Sequence, residues 1–133
     1  MSQENVEIVR RSFDAFLRGD FDGAMQAFHT DIAYDLTRLS PDGEVYEGHE
    51  GVRTGMRRWL GTWDDYAMEV VEYVDAGDSV VIFFRESGRG KGSGVRIEQS
   101  VAGVWTLLDG EVVRVTPFLD RSEALEAVGL RDG

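Results

Sequence analysis

The hydrophobic period of this chain changes lastingly near Trp63, and that change constrains the fold more than any other feature. Before it, apolar residues recur mostly at helical spacing. From Asn5 to Leu17 they fall at Val6, Val9, Phe13, Phe16 and Leu17, one face of an amphipathic helix. Gly19 sits where a glycine ends such a helix. Asp20 opens a second, shorter one, with Phe21, Ala24, Met25 and Phe28 inward, and His29 is expected to finish it. A strand is expected over 32–37, with Ile32, Tyr34 and Leu36 alternating against Ala33, Asp35 and Thr37. Pro41-Asp42-Gly43 makes a turn before a short strand at 45–47. Gly51 to Trp63 reads as a third helix, its apolar face formed by Val52, Met56, Trp59, Leu60 and Trp63. Within it, Gly55 and Gly61 each cost about 1 kcal/mol relative to alanine.

After Trp63 the period is two. Strands are expected over 66–74, 80–86, 95–108 and 112–119, joined by turn signals at Asp75-Ala76-Gly77-Asp78 and Asp109-Gly110. Asp120 with Glu123 has the spacing of a capping box for a last helix through Val128, ended by Gly129. Helices first and a strand meander afterwards imply an α+β architecture. Strands of this length twist and coil, so the sheet is expected to curve around the N-terminal helices as a cone whose mouth is a pocket. At 133 residues, 42% hydrophobic and 11% aromatic, the chain is expected to form a single domain over 1–133 without a disulfide or metal staple.

Charge and composition narrow the function. The net charge is −11, from 25 acidic and 14 basic residues, which argues against nucleic-acid phosphates and anionic membrane surfaces as partners. The acidic residues are scattered, as on a solvated face. The densest basic run, Arg53, Arg57 and Arg58, is expected on the outer face of the third helix. There is no cysteine, so thiolate chemistry and disulfides are excluded. The start, MSQENVEIVRR, lacks the apolar core of a signal peptide, and no stretch approaches a membrane span. A cytoplasmic location is the expectation.

The candidate motifs mostly have plainer readings. In Gly88-Arg89-Gly90-Lys91-Gly92-Ser93-Gly94 the lysine is followed by glycine and the segment joins two strands, so it reads as a hairpin loop and not a phosphate loop. His29 and His49 lack ligand spacing, and no metal or cofactor is expected. No Gly-x-Ser-x-Gly elbow occurs. The tryptophans Trp59, Trp63 and Trp105 suit a core, or the wall of a ligand site.

The run Val9-Arg10-Arg11-Ser12-Phe13 through Gly19-Asp20, then Asp31-Ile32, Tyr46-Glu47-Gly48, Val104-Trp105-Thr106 and Asp109-Gly110-Glu111-Val112 resembles the SnoaL-like branch of the NTF2-like superfamily. The resemblance implies a cone-shaped fold, with a strongly curved, mostly antiparallel sheet. Its members include ketosteroid isomerases, limonene epoxide hydrolases, polyketide cyclases and transport factors, so the fold alone does not choose a function. The isomerase base, tyrosine and aspartate fall on Leu36, Ser12 and Gly103, and all three groups are lost. The epoxide-hydrolase arginine and tyrosine match Arg85 and Tyr34, but its asparagine falls on Leu36 and its aspartates on Ser87 and Pro117. The resemblance also implies that Val81, Phe83 and Arg85 face the cavity together with Gln99, Val101, Gly103 and Trp105. Glu86 and Glu98 then point outward, and Asp35 lies on the strand face opposite Tyr34.

Three readings follow. The first is a protein that binds a small, mainly apolar ligand bearing a carbonyl, phenolate or carboxylate. Tyr34, Arg85 and Gln99 would supply its polar contacts, and Phe16, Met56, Trp59 and Trp105 its walls. The second is an isomerase, cyclase or epoxide-hydrolase-type enzyme with a non-standard acid or base. The third is a dimerisation module, since the resemblance implies a homodimer formed through the outer face of the sheet, along Arg96, Glu98, Ser100, Ala102 and Val104.

Overall fold

The computed structural model describes residues 2–130. Helix α1 (Ser2–Leu17) turns at Gly19, whose φ of +80° is the left-handed conformation that glycine adopts freely. Helix α2 (Phe21–Ala24) is capped by the Asp20 carboxylate, which accepts from the Gly23 N–H, and ends in a 3₁₀ turn at Met25–Ala27. Strand β1 (Phe28–Asp35) begins earlier than alternation suggested, so His29 lies in a strand and not at a helix end. Strand β2 (Val45–Glu47) leads into helix α3 (Gly48–Leu60). Trp63 therefore opens strand β3 (Trp63–Ala76) instead of closing the helix. Strands β4 (Ser79–Gly90), β5 (Arg96–Leu108) and β6 (Glu111–Phe118) and helix α4 (Arg121–Ala127) complete the order.

The fold is α+β, with six strands among the described residues in the order β2-β1-β6-β5-β4-β3. Among the described strands the β1–β6 pair is parallel and the other pairs are antiparallel. The sheet is open, and register shifts in β3 between Asp64 and Ala67 and between Val70 and Glu72 bend its long outer strand. The second shift adds Val71, which resets the alternation so that Met68, Val70 and Tyr73 all pack against the inner core. Gly55 has a reason to be glycine. A Cβ there would come within 2.8 Å of the Tyr46 ring and 3.1 Å of the Tyr34 ring, so its absence lets α3 lie close on β1 and β2. Asp109 and Gly110 both have positive φ, the conformation that a tight hairpin turn requires.

Side chains are buried on both faces of the sheet. Val80, Ile82, Phe84, Val101 and Trp105 join α1 and β1 in the inner core. Val81, Phe83, Ala102, Val104 and Phe118 form an outer core beneath Ala124 and Leu125 of α4. The helices thus do not all lie on one side. Ala102 and Val104 of the expected outward stretch are covered, while Arg96, Glu98 and Ser100 are exposed. Arg53, Arg57 and Arg58 project from α3 as expected, with Arg53 paired to Asp22 and Glu50, and Arg58 to Glu44. No helix among the described residues is long and apolar enough to cross a membrane.

Arg85 shares the outer face with Val81 and Phe83, and it is exposed. Ile82, by contrast, is fully buried on the inner face. Urea unfolding should register this difference. Ile82→Ala is expected to cost about 2–5 kcal/mol, and Arg85→Ala no more than about 0.5 kcal/mol.

Candidate functional site

The inner face of the sheet, α1, α2 and α3 line a cavity that opens to solvent at its mouth. Phe13 and Phe16 enter from α1, and Val52, Met56, Trp59 and Leu60 from α3. The sheet contributes Phe28, Ile32 and Tyr34 from β1, Tyr66 and Met68 from β3, and Phe84 and Glu86 from β4. Val101, Gly103 and Trp105 of β5 face Val115 and Pro117 of β6 across the floor. Rings pack against one another along this wall, with Phe13 5.6 Å from Phe84, and Phe28 5.6 Å from Trp105.

One acid lies in this apolar chamber. Glu86 is 2% exposed and its carboxylate accepts three hydrogen bonds. Oε1 receives the Tyr66 hydroxyl at 2.6 Å and the Trp59 indole N–H at 3.2 Å. Oε2 receives the Gln99 side-chain amide at 2.7 Å. All three donors are neutral. No Lys, Arg or His occurs among the described residues that line the cavity.

The expectation that Glu86 points outward is corrected, and with it the placement of Arg85. Gln99 does face inward, and Glu86 is its direct antiparallel partner, so both side chains leave the sheet on the same side. Arg85 pairs with Ser100, and both are exposed on the other face. Tyr34, Phe16, Met56, Trp59 and Trp105 all line the cavity. Gln99 reaches it through Glu86, and Glu98 is exposed as expected.

Tyr66 was not apparent from the sequence. It is turned toward Glu86 by the first shift in β3, where Asp65 takes a φ of +54°. A left-handed non-glycine residue costs roughly 1–2 kcal/mol, and here the Asp65 carboxylate is held by Arg89 at 3.0 Å. Trp63 packs edge-on against both Trp59 and Tyr66, the two donors to Oε1. Its own indole N–H is buried without a partner among the described residues. Gly88 makes room for that ring, since a Cβ there would lie 2.7 Å from it.

The two cavity tyrosines are held neutral. Burial foremost, then the charge of Glu86, push both the Tyr34 and the Tyr66 hydroxyl well above the ordinary tyrosine value. Tyr66 uses its proton on Glu86, whereas the Tyr34 hydroxyl has no hydrogen-bond partner among the described residues. Ser12 is occupied elsewhere, donating to the Ala24 carbonyl. Asp35 belongs to a different arrangement, bonded to Thr37 and to Arg114 at 2.6 Å. Burial raises its pKa, but the Thr37 hydroxyl and N–H and then Arg114 outweigh that and hold it below the usual value. His49 bonds the Phe28 carbonyl, and His29 is met by the Asp31 N–H. Among the described residues no group of three or more His, Cys, Asp or Glu side chains could hold a metal ion.

The family model described as SnoaL-like domain matches residues 9–115. No curated protein matches the chain. Among solved structures, an NTF2-like protein from Burkholderia thailandensis superposes with a TM-score of 0.80 at 28% identity, over 87% of this chain and 90% of that one. TerC, co-crystallised with polyporic acid, superposes at 0.76 with 20% identity, over 94% and 98%. A hypothetical protein with a ketosteroid isomerase-like fold from Catenulispora acidiphila, in complex with trimethylamine, does so at 0.71 with 20% identity, over 93% of each chain.

Proposed function

Because the chain belongs to the SnoaL-like domain family, we propose that its ring-lined cavity holds a small, mainly apolar molecule whose polar end meets Glu86. The observation that carries this reading is the buried carboxylate itself. A charge withdrawn from water is costly, and a fold that only needed a core would gain by replacing it with an apolar side chain. Three bonds orient Glu86 at the cavity wall. In this reading Phe16, Met56, Trp59 and Trp105 form the walls, Tyr34 offers a free hydroxyl, and Gln99 acts by fixing Glu86. Fold does not set the ligand's charge, since one relative was crystallised with an acid and another with an amine. Side chains must set it. With Arg85 on the outer face, a phenolate or carboxylate end would meet Glu86 without a compensating cation, so we favour a polar end that is not anionic.

A second reading is favoured by the same acid. Glu86 is a carboxylate in a largely apolar site, beside a neutral tyrosine with an unused proton. A carbonyl compound bound there could lose an adjacent proton to Glu86 while Tyr34 donates to the oxygen on which charge collects. The chain would then be an enzyme of isomerase or cyclase type, with its acid–base group on β4.

A thermal-shift screen of terpenoids, steroids, aromatic amines and polyketide-like phenols tests the ligand reading. A ligand at about 100 times its Kd adds roughly 2.7 kcal/mol, a rise of several degrees for a domain of this size. Gly103→Val is the matched control. A Cβ at Gly103 meets nothing closer than 3.5 Å, so the strand admits a side chain there, and because Gly103 lines the cavity a larger one is expected to narrow it. We expect hits on the wild type that Gly103→Val loses. Hits retained in full by Gly103→Val would contradict the cavity as the site. Turnover of a hit that Glu86→Gln abolishes would establish the enzyme reading, and binding without turnover the first.

The homodimer implied by the resemblance is also proposed. With α4 over Ala102 and Val104, the outer face left to it is the polar stretch around Arg85, Arg96, Glu98 and Ser100. Sedimentation at micromolar concentration should give a dimer, and a monomer there would refute the pairing.

A further inference from the structure

The cavity has an uncompensated sign. Glu86 is the one carboxylate among the described residues lining it, and no cationic side chain lines it. Arg85, adjacent in sequence, is on the opposite face of the sheet. A carboxylate has about four lone-pair positions, and three are filled by Tyr66, Trp59 and Gln99. Oε1 takes two donors and Oε2 takes one, so the open position is on Oε2.

The surroundings suit a cation. Ring faces carry negative charge density and attract an ammonium group, most strongly where water is excluded. Trp59, Tyr66 and Phe84 line the cavity with Glu86, and Trp105 lies further along the same sheet face. Tyr34 also lines it and its hydroxyl oxygen is unused. At larger range, the net charge of −11 raises the local concentration of cations and depletes anions.

We propose that this cavity takes a small lipophilic amine as its ammonium ion, with an N–H on the open side of Glu86 Oε2 and the hydrocarbon part among the rings. The proposal rests on the reading of the cavity as a ligand site and adds the charge and class of the ligand. An ammonium N–H fills the remaining acceptor position and neutralises the buried charge in one contact. A neutral alcohol could do only the first.

Two probes of nearly the same shape separate the claims. Benzyldimethylamine is protonated at neutral pH, and isobutylbenzene replaces its N–H by C–H. Calorimetric titration at fixed ionic strength should show the amine binding the wild type at least about tenfold more tightly than the hydrocarbon. Glu86→Gln should remove that preference and leave isobutylbenzene affinity within about twofold, because the glutamine keeps the shape of the site without its charge. Gly103→Val should abolish binding of both, which distinguishes the cavity from attraction to the acidic surface. Equal or tighter binding of isobutylbenzene to the wild type would overturn the amine assignment while leaving the cavity as a ligand site. An amine preference that survives in Glu86→Gln or Gly103→Val would overturn it too. If neither probe binds up to its limit of solubility, the ligand-site reading and the amine assignment both fail. The wild-type comparison decides the question even if Glu86→Gln does not fold.

Discussion

The register of the β4–β5 hairpin determines which charge enters the core. The Gly90 N–H bonds the Val95 carbonyl across a four-residue loop, 91–94, in which Gly92 and Gly94 take positive φ. That closure places Arg89 opposite Arg96, and counting back along the ladder places Glu86 opposite Gln99 and Arg85 opposite Ser100. Side-chain period in a strand is two, so a slip of one residue would exchange the faces of everything on β4. Arg85 would then be buried among rings, and Glu86 would lie in water. The glycine-rich loop is therefore a spacer whose length decides the chemistry of the cavity.

Other parts of the structure follow from the same hairpin. With Glu86 inward, Tyr66, Trp59 and Gln99 have a common acceptor, and those bonds tie β3, α3 and β5 to β4 at one point. Several costs gather nearby. Asp65 is left-handed, the Trp63 N–H lacks a partner among the described residues, and a carboxylate is buried. A buried polar group left unsatisfied costs about 1–3 kcal/mol. The far end of the inner face, by contrast, is ordinary apolar packing around Val9, Ile32 and Val112. Strain concentrated at one wall of a cavity is where function is expected.

Much of this fold was legible from periodicity and turn chemistry. The strands from β3 onward, the Asp109-Gly110 turn and the Asp120 cap each have a local signal, and the cavity lining of Phe16, Met56, Tyr34 and Trp59 follows from facing, whereas Trp105 was placed inward by the resemblance. The facing of β4 was not legible, for a physical reason. Val80, Val81, Ile82, Phe83 and Phe84 are all buried, because α4 covers the outer face as the N-terminal helices cover the inner one. Five apolar residues in succession contain no alternation, so Arg85 and Glu86 could be assigned only from the resemblance. The loop length and an inward Gln99 held the missing parity. Trp59 and Trp63 are four apart and fit a helical face equally well, which hid the start of β3. Tyr66 depends on a bulge at an aspartate, a turn signal that glycine would have advertised and aspartate does not.

The cavity is organised around Glu86, not around Arg85. The chain has three tryptophans, so its indole N–H resonances in a nitrogen–proton correlation spectrum are few and assignable. Glu86→Gln should move the Trp59 indole and the Gln99 side-chain amide upfield as their bonds to a carboxylate become bonds to a neutral amide. Arg85→Gln should leave both in place. Trp59 and Gln99 resonances that ignore Glu86→Gln but follow Arg85→Gln would put Arg85 and not Glu86 at the cavity, against the hairpin register from which the site is built.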